Sequence, residues 1–188
     1  MESTKTSKKI TQQNKDICVL MLDHDGVICL SSEWGTRFKN KKTFDNFNKK
    51  AVKVLNEIID ATDCEIVVSS DWRFHGTLED LQEHYKLHGV KKTPIDTTTI
   101  SFLEKGIDFS DDFKFHRDYD LEQTRSLEIL KWLREHPEVT KWVSVDDLDM
   151  SYRPDSGWGL ENFVLTPRGK EGIKQSGIKE KIIKLLNG

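Results

Sequence analysis

Apolar residues follow two rhythms along this chain. Near the start, Cys18, Val19, Leu20, Met21 and Leu22 form an unbroken run that Asp23, His24 and Asp25 close. A run apolar at every position is the pattern of a strand covered on both faces, and it predicts a strand over residues 17–23. Ile66-Val67-Val68, Trp142-Val143-Ser144-Val145 and the segment after Glu161 repeat the pattern and predict strands over 65–70, 141–146 and 162–166. Elsewhere the apolar steps lengthen to three and four residues. Phe44, Phe47, Ala51, Val54, Leu55, Ile58 and Ile59 predict a helix with Thr43 or Asp45 as its cap. A second helix starts at Thr77, with Asp80 placed for a capping box, carries Leu78, Leu81, Tyr85 and Leu87, and stops at Gly89. A third spans 121–135 with Leu127, Leu130 and Leu133 on its core side, ended by His136-Pro137, and a fourth spans 178–186.

The intervening segments read as loops. Residues 1–15 are polar and aperiodic, a flexible tail; 28–42 and 90–120 are irregular, the latter acidic with one short apolar piece at 100–103. Strands alternating with helices, without an internal repeat, imply an α/β fold with a central parallel sheet, in one domain over 16–188.

Composition adds limits. The chain has 188 residues, enough for a sizeable core, with 36% hydrophobic and 32% charged residues. No run approaches the roughly 18–20 apolar residues of a membrane span, and the N-terminus lacks a signal-peptide core. Cys18, Cys29 and Cys64 are odd in number and have no C-x-x-C spacing, so they read as small buried thiols. A cytoplasmic, intracellular protein without a membrane partner is expected. Net charge is −3. Yet residues 37–53 carry seven cations against Asp45, and 168–184 carry six against Glu171 and Glu180, with an acidic stretch between them at 104–122. These are either solvated helix faces or surfaces that steer a polyanion.

Candidate chemistry sits at the predicted strand ends. Asp23 and Asp25, spaced i and i+2, project to one side of an extended chain, and Gly26 lets the backbone turn away. Ligands of open α/β sheets collect at such ends. Crowded carboxylates repel unless a cation relieves them, which asks for a divalent ion, Mg²⁺ above all. Ser69 or Ser70 closes the second strand, where a hydroxyl by itself reads as a turn or cap residue. Arg125, with Lys131 as competitor, lies on the helix leading to Asp146-Asp147; Asp149 is an outer helper or a loop acid.

Asp23-His24-Asp25-Gly26, a strand-end serine, an upstream cation and a strand-end acid pair follow the order of the four motifs of haloacid dehalogenase-like (HAD) phosphohydrolases, which residues 17–187 resemble. Ser69-Ser70-Asp71-Trp72-Arg73, Ile129-Leu130-Lys131-Trp132-Leu133 and Val145-Asp146-Asp147 are similar to the HAD domain of Swiss Army Knife RNA-repair proteins. His24 stands where the superfamily commonly has an apolar residue, which suits a structural hydrogen-bonding role. The resemblance implies a Rossmann-like HAD fold with a minimal cap or none. It implies Asp23 as the nucleophile that becomes an aspartyl-phosphate, and Asp25 as general acid and base. It implies Mg²⁺ held by Asp23, Asp25 (through its carbonyl), Asp146 and Asp147. Ser69, Ser70 and Arg125 would hold the phosphoryl group, with Gly26 and Arg73 facing substrate. The expected substrate is a phosphorylated RNA or DNA end or a nucleotide, with Trp34, Trp72 or Trp158 available to stack a base. A small-molecule or phosphoprotein phosphatase, or a non-catalytic HAD-fold binding module accessory to RNA repair, are the alternatives.

Overall fold

Val19, Leu20, Met21 and Leu22 are wholly buried, as a strand covered on both faces requires. The structure is a computed structural model and describes residues 17–98, 121–155 and 157–188. Strands β1 (Ile17–Leu22), β2 (Glu65–Val68), β3 (Asp96–Thr97), β4 (Val139–Asp146) and β5 (Phe163–Leu165) form one parallel sheet in the order β3-β2-β1-β4-β5. Helices α1 (Thr36–Asn40), α2 (Lys49–Thr62), α3 (Leu78–Leu87), α4 (Leu121–Glu135) and α5 (Ile178–Asn187) connect and cover it.

Strand alternation divides the core. Leu20 and Leu22 of β1, with Val68 and Val145 beside them, pack against Leu55 and Ile58 of α2, Tyr85 of α3 and Ile182 of α5. Val19, Met21 and Val67 face the other way, onto Ile129 and Trp132 of α4. The α/β architecture is therefore as the apolar runs predict, Rossmann-like with helices on both faces.

Several boundaries differ from the sequence reading. α2 begins at Lys49, and its cap is Asn48, whose side chain accepts from the amides of Lys50 and Ala51 at 3.1 and 3.2 Å. Thr43 and Asp45 do not cap it. Asp45 instead accepts from the Arg37 amide at 2.7 Å and pins α1, a short helix that the loop reading of 28–42 left out. The capping box at Thr77 and Asp80 forms as expected. The two-residue β3 falls inside the stretch read as irregular.

The largest correction concerns α4. Leu127 and Leu130 are exposed, while Arg125, Glu128, Ile129 and Trp132 turn inward. Those four sit at i, i+3, i+4 and i+7, a proper helical stripe that carries two charges. Cys29 and Cys64 are buried and Cys18 partly so; all three thiols are free. The polar tail and the apolar piece at 100–103 lie outside the described residues.

Candidate active site

Sheet register brings the first two acids together. β1 runs beside β4 with Leu22 paired to Val145, and the Asp23 amide continues the ladder to the Val145 carbonyl at 3.1 Å. The residues just past those pairs, Asp23 and Asp146, therefore emerge side by side. They do so where the strand order reverses, with β2 and β3 on one side of β1 and β4 and β5 on the other. That reversal opens the crevice in which open α/β sheets bind ligands.

Asp23, Asp146 and Asp147 each offer a carboxylate oxygen within 4.8 Å of the others. Asp23 and Asp146 are almost fully buried. Burial and the neighbouring Asp146 push the Asp23 carboxyl well above its usual range; burial raises Asp146 as well. Asp147 is pushed up to about 6, by burial and then by Asp146. Three crowded oxygen donors suit a hard divalent ion. The cradle is also shaped for close approach: a β-carbon on Gly26, whose φ is +74°, would meet the Asp147 carboxylate at 2.2 Å. The donor set fits Mg²⁺.

One cation already reaches in. Arg125 Nη1 lies 2.9 Å from Asp146 Oδ2 and 3.3 Å from Asp23 Oδ1, and its Nη2 lies 2.6 Å from Asp71 Oδ1. The guanidinium fork thus spans three carboxylates from three elements, a geometry that lysine cannot copy. These acids hold Arg125 protonated more firmly than usual, against the cost of its burial. Arg168 adds a weaker contact from the exposed side, its Nε 3.8 Å from Asp147 Oδ2. Carboxyls raised in this way mark a place where a further cation would be favoured.

The serines divide. The Ser70 hydroxyl interacts with the Asp23 carboxylate and opposes the rise of its pKa, and its oxygen accepts from the Trp72 amide at 3.5 Å as the cap of a short 3₁₀ turn over Asp71–Phe74. Ser69 is buried, with no hydrogen-bond partner for its hydroxyl among the described residues.

Asp25 departs from the i, i+2 expectation. The strand ends at Leu22, and the His24 carbonyl then accepts from the amides of Val27, Ile28 and Cys29, winding the chain into a tight turn. Alternation stops there, so the Asp25 side chain is exposed and its carboxylate stands outside the acid triad. It accepts from Trp72 Nε1 at 2.9 Å, and partial burial raises its carboxyl.

Arg73 is buried rather than open. It pairs with Glu128, and its Nη1 donates to Thr98 Oγ1 at 3.0 Å. His24 lies 2.7 Å from Tyr85 Oη inside an aromatic box with Phe47 and Trp72, the structural role expected of it. Asp149 accepts from the Ser151 amide at 3.1 Å, a loop acid. Trp72 and Trp158 are buried and Trp34 is exposed.

Asp71 and Glu128 escaped the sequence reading. The signal for Glu128 was present, since it follows Arg125 by one helical turn and so shares its face.

The family model for the HAD domain in Swiss Army Knife RNA repair proteins matches residues 19–177. The chain belongs to that HAD-domain family. No curated protein and no solved structure matches it. No helix among the described residues is long and apolar enough to cross a membrane.

Proposed function

We propose, from this family membership and the acid cluster, that the domain is a Mg²⁺-dependent phosphatase acting through an aspartyl-phosphate on nucleic-acid ends or nucleotides. The observation that carries the reading is Asp23 sharing one small volume with Asp146 and Asp147 while Arg125 braces its Oδ1 at 3.3 Å. Asp23, Asp146, Asp147 and the backbone carbonyl of Asp25 would hold the ion, which when bound supplies charge neutralisation for the transferring phosphoryl group.

The chain's own groups do the rest. An Asp23 oxygen attacks phosphorus, and the bond from phosphorus to the leaving oxygen breaks. Asp25, on the exposed side of the turn, gives the leaving oxygen its proton. It then takes a proton from the water that opens the aspartyl-phosphate, releasing phosphate and restoring both acids. Arg125 holds Asp23 in line, and the Ser70 hydroxyl fixes the orientation of its carboxylate. The exposed position of Asp25 leaves room for a polymer end.

The test is phosphate release, with Mg²⁺ and with chelator, from 3′-phosphorylated and 5′-phosphorylated oligonucleotides, mononucleotides and p-nitrophenyl phosphate. Metal-dependent release, greatest on oligonucleotides or nucleotides, is the expected result. Release from small phosphoesters alone would move the reading to small metabolites. No release from any substrate would leave a binding module in place of an enzyme.

A further inference from the structure

α1 buries none of its side chains, so it does not complete the core. It is nonetheless fixed in place: the Arg37 amide donates to Asp45 Oδ1 at 2.7 Å, and the Asn46 amide donates to Thr36 Oγ1 at 2.8 Å. This pinned segment displays two large aromatics to solvent, Trp34 at 52% and Phe38 at 75% exposure. Trp34 is the one exposed tryptophan of the five in the chain. Both rings line a cleft of about 320 Å³ that also contains Asp25, the acid proposed to protonate the leaving group. That volume lies at the small end of ligand clefts. Large aromatics held out of the core beside a reacting group point to a flat apolar ligand.

Charge narrows the choice. Arg37 lines the cleft together with Asp25 and Asp45, so the charges there are mixed, and its largest apolar surfaces are the rings of Trp34, Phe38 and Trp72, which suit the flat face of an uncharged ring. Beyond the cleft the charge is positive: Lys39, Lys41 and Lys42 are exposed on the chain that carries Phe38 and follows it, and at the cleft itself the Arg37 guanidinium sits 4.9 Å from the Phe38 ring centroid. An uncharged planar group within a polyanion is a nucleobase in a nucleic-acid strand. Stacking platforms flanked by cations are how single strands are held without regard to sequence.

We propose that Trp34 and Phe38 form the stacking platform for the base next to the phosphate that is removed, and that the lysines of α1 and its C-terminal flank track the adjoining backbone. The inference rests on the phosphatase reading for the position of that phosphate, but its test needs no turnover. The full chain carrying Asp23→Asn is titrated with a short single-stranded oligonucleotide ending in a phosphate, and with the same strand whose terminal phosphorylated sugar lacks its base. The abasic strand is expected to bind about tenfold more weakly, and Trp34→Ala or Phe38→Ala added to the same chain is expected to weaken the base-bearing strand about tenfold. The two variants are expected to move the abasic strand less than twofold, and Trp34→Phe to recover most of the affinity.

Equal affinity for the two strands, or no binding of either, overturns the platform. So does tight binding of the exposed aromatics to vesicles of anionic phospholipid with no loss in the presence of oligonucleotide, which would assign this face to a membrane. The two readings fail separately. Phosphate release that ignores the terminal base keeps the enzyme and removes the platform, whereas base-dependent binding without any hydrolysis keeps the platform and removes the enzyme.

Discussion

A β-carbon on Gly26 would lie 2.2 Å from Asp147 Oδ2 and 2.6 Å from its carboxyl carbon, so the turn after β1 and the end of β4 interlock only because residue 26 has no side chain. Both sides of that contact belong to the proposed metal centre. Gly26→Ala must either displace the Asp147 carboxylate or distort a backbone already at φ +74°, where a side chain costs about 1–2 kcal/mol. The expected outcome is a chain that folds, loses most of its phosphatase activity and no longer gains stability from Mg²⁺. In the unsubstituted protein, Mg²⁺ at about a hundred times its dissociation constant adds about 2.7 kcal/mol. Thermal melts with and without Mg²⁺ measure both. A variant that still shows the full magnesium-dependent shift would remove Asp147 from the ligand set.

Asp23→Asn separates chemistry from folding. The substitution removes a carboxylate that burial, and then Asp146, already push toward the neutral form, and Arg125 keeps Asp146 and Asp71 as partners. The metal-free melting temperature is therefore expected to stay the same or rise. Turnover is expected to fall by about 10⁴ or more, because an amide cannot form the phosphorylated intermediate. Magnesium-dependent phosphate release surviving in this variant sinks the assignment of the nucleophile.

Arg125→Met strips the cation from the three carboxylates it bridges. Breaking a buried, hydrogen-bonded ion pair costs about 3–5 kcal/mol, and this variant should lose stability on that scale in chelator. Magnesium should restore part of the loss by supplying positive charge to Asp23 and Asp146. Arg125→Lys keeps the charge but not the fork that spans Asp146 and Asp71, and is expected to fall between the two. Urea unfolding of the three proteins with and without Mg²⁺ checks the order. An unchanged midpoint for Arg125→Met would show that the cluster does not depend on its arginine.

How far these features were legible in the sequence follows from what each one rests on. β1, β4 and α5 are legible because a buried strand and an amphipathic helix write their periods directly into apolar positions. Asp23 and Asp146 are legible because both stand at the end of such a run. The inward face of α4 is not. Counting leucines favours Leu127, Leu130 and Leu133, yet the buried stripe includes Arg125 and Glu128, whose partners are Asp23, Asp146, Asp71 and Arg73. Arg73 lies 55 residues from Glu128, so no local pattern announces that pair. Asp45 misled for a related reason: it looks like a cap for the helix that follows it, but it bonds backward to Arg37. The two adjacent serines show the same limit, since chain order does not say which hydroxyl reaches Asp23.

A last expectation concerns acid stability and is independent of the metal centre. His84 on α3 packs edge-on against Phe44, Phe47 and Trp72, and its ring lies 4.4 Å from that of His88 one turn on. Burial above all, with the charge of His88 and the nearby Lys42 acting the same way and Asp45 opposing, lowers it from 6.5 to about 4. The folded state therefore binds this proton less readily than the unfolded chain does. Stability from this group is whole above pH 6.5 and is lost as pH falls toward 4, by about 3 kcal/mol at most. His84→Gln removes the titration, so its unfolding free energy should fall less between pH 7 and pH 4.5 than that of the parent. Buried His24 also resists protonation, so some decline persists in the variant. Parallel urea curves at the two pH values decide the matter: equal declines in the two proteins would mean that His84 takes up its proton in the folded chain as easily as in the unfolded one.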